Sequence, residues 1–136
     1  MRIMVCGSIG YSGKADDIRN MYLFLKSKGF SITSHLTQDE TMNYSDITDF
    51  RNKENLSRQI VNHDLRYIKK TDVIVVIGNG PSYGAAIEMF VAKKSGKKVI
   101  LFAKDPIPTP WPINFSDYRV KNEDELIELL NKLQNK

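Results

Sequence analysis

Two carboxylates and two glycine-bearing loops carry most of the chemistry this sequence offers. Glu88 lies four residues after Gly84, at the start of a predicted helix whose residues Ala85, Ala86, Ile87 and Met89 are apolar. Its carboxylate is expected to face a pocket at the edge of a sheet, where burying a charge without a use is costly. Near a helix amino terminus it is equally readable as a dipole partner, an effect of a few tenths to about 1 kcal/mol. Asp64 stands on the preceding predicted helix beside His63, on or near the face that carries Leu56, Ile60 and Tyr67. It is a candidate partner for Glu88, with a solvated or capping acid as the alternative. The loops are Gly7-Ser8-Ile9-Gly10 with Gly13, and Gly78 to Gly84. Glycine lets backbone N–H groups approach an anion, and a following helix amino terminus adds partial positive charge. Neither loop has the full dinucleotide or Walker pattern, and either one alone is explained by structural punctuation.

The remaining reactive side chains point to packing. His35 and His63 lack the convergent carboxylates a metal site requires and are read as surface or satisfied core residues. Cys6 is expected to pack inside the first strand as a small apolar residue with no partner suggested nearby. Trp111, among Pro106, Pro108, Pro110 and Pro112, suits a packing or interface role, or stacking on a base.

The elements that must position these groups follow from periodicity. Arg2 to Cys6 reads as a buried strand. Ile18, Met21, Tyr22 and Leu25 recur at helical steps between Lys14 and Lys28, and Gly29 stops that helix. Phe30 to Ser34 reads as a second strand, and His35 to Phe50 as a long loop able to close over a site. A helix is expected over Asn55 to Lys70, a strand covered on both faces over Asp72 to Ile77, a helix over Ala85 to Ser95 stopped by Gly96, and a strand over Lys98 to Ala103. The four prolines forbid a ladder through Asp105 to Asn114, and Glu123 to Leu133 is an acidic-led amphipathic helix.

Alternating strands and helices imply right-handed crossovers. The expected fold is α/β, a single-domain three-layer sandwich over residues 1–136 with a mostly parallel five-stranded sheet of flavodoxin/Rossmann-like order; four of its strands are assigned above. Ligands of such sheets sit beyond the carboxyl ends of the strands, where the winding reverses, so the two glycine loops are expected to be neighbours.

The chain has 136 residues, 41% of them hydrophobic and 26% charged, a net charge of +4 and one cysteine. That length suits one core, and the composition excludes a disordered or collagen-like chain. A single cysteine excludes an internal disulfide, and the scattered lysines do not indicate a nucleic acid polymer as partner. The amino end lacks a signal-peptide pattern and no apolar run reaches membrane-spanning length, so a cytoplasmic location with no membrane partner is expected.

In order along the chain, Cys6-Gly7-Ser8-Ile9, Thr33-Ser34-His35, His63-Asp64-Leu65, Asp72-Val73-Ile74-Val75 and Pro81-Ser82-Tyr83-Gly84 through Glu88 resemble the nucleoside 2-deoxyribosyltransferase superfamily. Within it they are most similar to the 2′-deoxynucleoside 5′-phosphate N-hydrolases, the Rcl-like group. The resemblance implies cleavage of the bond between a sugar and its base, with Glu88 as nucleophile and Asp64 as the second carboxylate. It implies substrate contacts from Gly7, Ser8, Ile9, Tyr11, Ser82 and Gly84. Transferases acting on free nucleosides usually carry an acid where Ser82 stands, and a carboxylate there would repel a phosphate; serine favours a nucleoside monophosphate. Base exchange and a non-catalytic nucleotide-binding module are the alternatives. The group's strand-one tyrosine is replaced by Met4 and its loop arginine by Gly10, and Thr109 and Ser116 are candidates for a serine lent across a dimer interface. A homodimer needing no cofactor or metal is implied, and Tyr44 joins Ile9 and Tyr11 as candidates for setting base choice.

Overall fold

The computed structural model of the chain describes residues 1–8, 15–36 and 47–135. Its elements run β1 (Arg2–Cys6), α1 (Ala15–Ser27), β2 (Ser31–Ile32), α2 (Glu54–Lys69), β3 (Val73–Ile77), α3 (Tyr83–Lys94), β4 (Lys98–Phe102), α4 (Trp111–Asn114), β5 (Tyr118–Val120) and α5 (Glu123–Gln134). The five strands form one sheet in the order β2-β1-β3-β4-β5, and every pairing is parallel. This is the flavodoxin-like order, whose winding reverses between β1 and β3.

The unbroken apolar runs of β1, β3 and β4 are explained by cover on both faces. On one face, Ile3, Val5, Val73, Val75 and Ile100 pack against Ile18, Met21 and Leu25 of α1 and Leu126 and Leu130 of α5. On the other, Met4, Cys6, Ile74, Val76, Val99 and Leu101 pack against Ile68 of α2 and Ala85, Met89 and Ala92 of α3. Successive strand residues point to opposite faces, so each strand feeds both cores. The register Cys6 to Val76 and Val76 to Leu101 places the carboxyl ends of the three central strands side by side.

Where the elements depart from expectation, local chemistry explains it. β2 covers two residues rather than five: the Phe30 N–H is spent on the Leu25 carbonyl at the end of α1, and after the Thr33 N–H has donated to the Ile3 carbonyl at 2.8 Å the Thr33 carbonyl lies 3.3 Å from the Tyr22 hydroxyl, itself 2.8 Å from Nδ1 of His35. α3 starts two residues early, at Tyr83, because the Ser82 hydroxyl accepts from the Ala85 N–H at 3.1 Å and caps the helix. The proline segment carries no ladder but does contain the four-residue α4, with Pro112 in its first turn, where a missing N–H costs nothing. β5 was not assigned from periodicity; three residues are too few to show alternation. Gly29 and Gly96 end α1 and α3 at φ of 89° and 78°, a left-handed conformation that glycine adopts without strain.

Candidate active site

Glu88 is the sharpest feature of the molecule. It lies on the inward face of α3 between the buried Ala85, Met89 and Ala92, and only 9% of its surface is exposed. One carboxylate oxygen, Oε2, accepts a hydrogen bond from the Cys6 thiol of β1 at 3.4 Å. Burial pushes its pKa up to about 8, with the charge of Asp64 raising it further and the thiol acting in the opposite direction. Asp64 of α2 is partly buried and burial lifts it to about 7. The two carboxylates stand on helices that start 29 residues apart, at Glu54 and Tyr83, and the packing of α2 against α3 on one sheet face brings them into electrostatic reach.

The loops after β1 and β3 meet as expected. The Ser8 N–H donates to Oδ1 of Asn79 at 3.2 Å, and Nδ2 of Asn79 donates to Asp17 of α1 at 3.1 Å. The Ser8 hydroxyl is buried and has no hydrogen-bond partner among the described residues. Such a group in a native fold asks for an explanation, and a bound anion is one. Gly7 is buried at the end of β1, and a Cβ there would stand 3.4 Å from Ile77 and 3.6 Å from Asn79, ordinary contacts. Ser82 is half-buried at the mouth of α3, and Gly84 lies inside its first turn rather than in the preceding loop, where the N–H has no acceptor within the helix. Ile9, Gly10, Tyr11, Gly13 and Tyr44, and most of the long loop after His35, lie outside the described residues.

Met4 is fully buried in the core against α2 and α3. The histidines are satisfied core residues: Nε2 of His63 is 2.8 Å from the His35 carbonyl, and Nδ1 of His35 meets the Tyr22 hydroxyl. Burial drops the His35 pKa to about 4. Among the described residues no group of three or more His, Cys, Asp or Glu is placed to share a metal ion. Trp111 is exposed and does not cover the core. Ser116 is buried with its hydroxyl donating to the Ile113 carbonyl and accepting from Arg119, whereas Thr109 is exposed.

Three contributors were not read from the sequence as site residues. The reading of Cys6 as a thiol without a partner is corrected by its bond to Glu88. Asn79 bridges both loops, and its place between two glycines was the available signal. Tyr22 was counted as one apolar step of a helix, yet its hydroxyl receives the Val5 N–H at 2.9 Å and ties β1 to the strand beside it. A cavity of about 590 Å³ lies on the α1 and α5 side of the sheet, lined by Asp17, Asn20, Phe24, Gly78, Asn79 and Lys104 among others; it shares Asn79 with the contact between the two loops, and Glu88 and Asp64 are not part of it.

The sequence matches the family described as nucleoside 2-deoxyribosyltransferase over residues 3–130. No protein with a curated description matches it. Among solved structures, a 2-deoxyribosyltransferase from Bacillus psychrosaccharolyticus superposes with a TM-score of 0.70 at 16% identity, covering 93% of this chain and 90% of that one. The CMP N-glycosidase BcmB of Clostridium botulinum superposes with a TM-score of 0.55 at 21% identity, covering 96% and 98%. At these identities the likeness is one of fold.

Proposed function

Because the chain belongs to the nucleoside 2-deoxyribosyltransferase family, we propose that it hydrolyses the N-glycosidic bond of (2′-deoxy)nucleoside 5′-monophosphates, yielding free base and sugar 5-phosphate. Glu88 is the nucleophile. Its carboxylate attacks C1′ through an oxocarbenium-like transition state while the base leaves with a proton from Asp64, giving a glycosyl ester on Glu88. Asp64, now ionised, takes a proton from water, which attacks C1′ and frees the carboxylate. The reaction needs one acid and one anion, and the single observation that carries the reading is a pair able to supply both. Burial raises Glu88 and Asp64 towards neutrality, and the charge of one opposes ionisation of the other. The singly protonated pair, populated around pH 7 to 8 and titrating as a unit, keeps its proton mainly on Glu88, the weaker acid of the two, and reacts through the tautomer in which that proton has passed to Asp64 and Glu88 is the anion.

Phosphate recognition is supported by the buried Ser8 hydroxyl, unpartnered among the described residues, and by the amino terminus of α3, where Ser82 and the N–H of Gly84 stand. Ser82 spends an oxygen lone pair on its cap and keeps its hydrogen to donate. Gly7, Ile9 and Tyr11 complete the substrate contacts in this reading. A fold of this kind serves a nucleoside monophosphate in the Clostridium botulinum CMP N-glycosidase. We read residues 1–136 as one domain, working in the cytoplasm as a homodimer, with no nucleic acid or membrane partner; no helix among the described residues is long and apolar enough to cross a membrane. The exposed Ile87 and Phe90 of α3 and Trp111 and Ile113 of α4 support the dimer.

The test is incubation with a panel of ribo- and deoxynucleoside monophosphates and chromatography for free base. Release is expected, falling by about 1,000-fold or more in Glu88→Ala. Release that survives the substitution rejects the nucleophile. Incorporation of an added acceptor base faster than water attack would make the enzyme a base-exchange transferase, and ligand-dependent thermal stabilisation without turnover would make it a binding module.

A further inference from the structure

Cys6 and Glu88 are 82 residues apart in the chain, yet the thiol of one touches the carboxylate of the other. Cys6 is 1% exposed and ends β1, where it is paired with Val76 of β3, so its position is fixed by the sheet. Burial and the nearby Glu88 push the thiol pKa well up, so Cys6 keeps its proton and is a donor rather than a thiolate nucleophile. A carboxylate on a long side chain has free rotation about its last bond, and a donor on a rigid strand removes it. Of the other titratable groups, Asp64 of α2 is within electrostatic reach of the pair, and so is the Tyr22 phenol, which belongs to the α1 core on the opposite face of the sheet. β3 and β4 present apolar Val76 and Leu101 on this face. The histidines are engaged with each other and with Tyr22.

We propose that Cys6 is a positioning residue for Glu88: its S–H donates to Oε2, fixes the plane of the carboxylate, and leaves Oε1 as the oxygen that attacks. The inference rests on Glu88 as the nucleophile proposed above. Nothing else on the inner face of that helix among the described residues is placed to do this, since the bond is the one the structure gives to the Glu88 carboxylate. Because the donor favours the anion over the neutral acid, losing it also makes Glu88 harder to ionise.

The chain's single cysteine makes the test direct, since any S–H stretching band in its infrared spectrum comes from Cys6. In the unmodified protein the band is expected at the low frequency of a strongly donating thiol, moving as pH passes through the Glu88 titration, and shifting in Glu88→Gln. A band at the position of a free buried thiol that ignores both pH and Glu88→Gln overturns the proposal. In parallel, the Glu88 carboxyl is followed by 13C NMR. Cys6→Ala is expected to raise its midpoint by about half a pH unit or more, and Cys6→Ser, which restores a donor, to return it to or below the starting value. Coincident midpoints in all three proteins also overturn it. These readouts need no turnover. If they behave as expected and no base is released from any substrate, the failure belongs to the proposed reaction and not to the thiol contact. Where turnover is found, Cys6→Ala should lower kcat several-fold with KM little changed and move the acid limb upward, with rescue by Cys6→Ser.

Discussion

A carboxylate held in an apolar setting affects folding as well as chemistry, and Glu88 is such a group. Its pKa in the fold lies above the value it has in an unfolded chain, so the native state binds the proton more tightly. Its favourable contribution is complete below the ordinary carboxylate range and is lost as pH rises through about 8. Glu88→Gln removes this dependence. Its melting temperature is therefore expected to exceed that of the unmodified protein at pH 9, with the gap closing towards pH 5; a gap independent of pH would show that Glu88 is not buried as a neutral acid. At this scale the sequence was partly legible. A lone acid among Ala85, Ala86, Ile87 and Met89 was visible as an anomaly, and the spacing to Asp64 fitted a known pattern. The thiol that meets it was not visible, because no local rule connects a strand residue to a helix 82 positions later.

At the scale of the element, α3 matters most, because its first turn must be both a stable helix start and a proposed phosphate seat. Ser82 serves the first role through its bond to the Ala85 N–H. Ser82→Ala is expected to cost about 1 kcal/mol of stability by denaturant unfolding. Ser82→Asp separates the two roles, since aspartate caps as well as serine while its charge opposes a phosphate. Its stability should stay close to that of the unmodified protein, while kcat/KM for a monophosphate falls by about 10-fold or more, the size of a lost charge-assisted hydrogen bond, and that for the free nucleoside does not. Equal losses on both substrates would assign Ser82 to the helix alone. Helix existence was readable here from Ala85 onward, but the boundary was not, because a capping serine after proline looks the same in sequence as a loop serine. The short β5 escaped for a related reason: three residues carry no period, and only pairing with β4 defines them.

Over the whole molecule, the order β2-β1-β3-β4-β5 brings the loops after β1 and β3 together at the point where winding reverses, and the Ser8 to Asn79 bond confirms their contact. This was legible because parallel strands linked by helices leave few arrangements. How the chain meets a second copy was not, since exposure of an apolar residue depends on the finished surface. Phe90 and Ile87 stand on the outer side of α3, and Phe90 meets Phe115 edge-on at 5.7 Å, just beyond α4. In sedimentation, the unmodified protein is expected to behave as a dimer and Phe90→Glu as a monomer with its melting profile largely retained. A monomer at all concentrations before substitution would remove the dimer from the account.

Both outer strands of the sheet are very short, two residues in β2 and three in β5. An edge this brief offers almost no ladder on which a foreign strand could grow, which is how natural sheets discourage fibre formation. In the proposed dimer, contact between copies is thereby left to helical surfaces, where shape rather than generic backbone pairing decides the partner, and where growth can stop once two molecules have met.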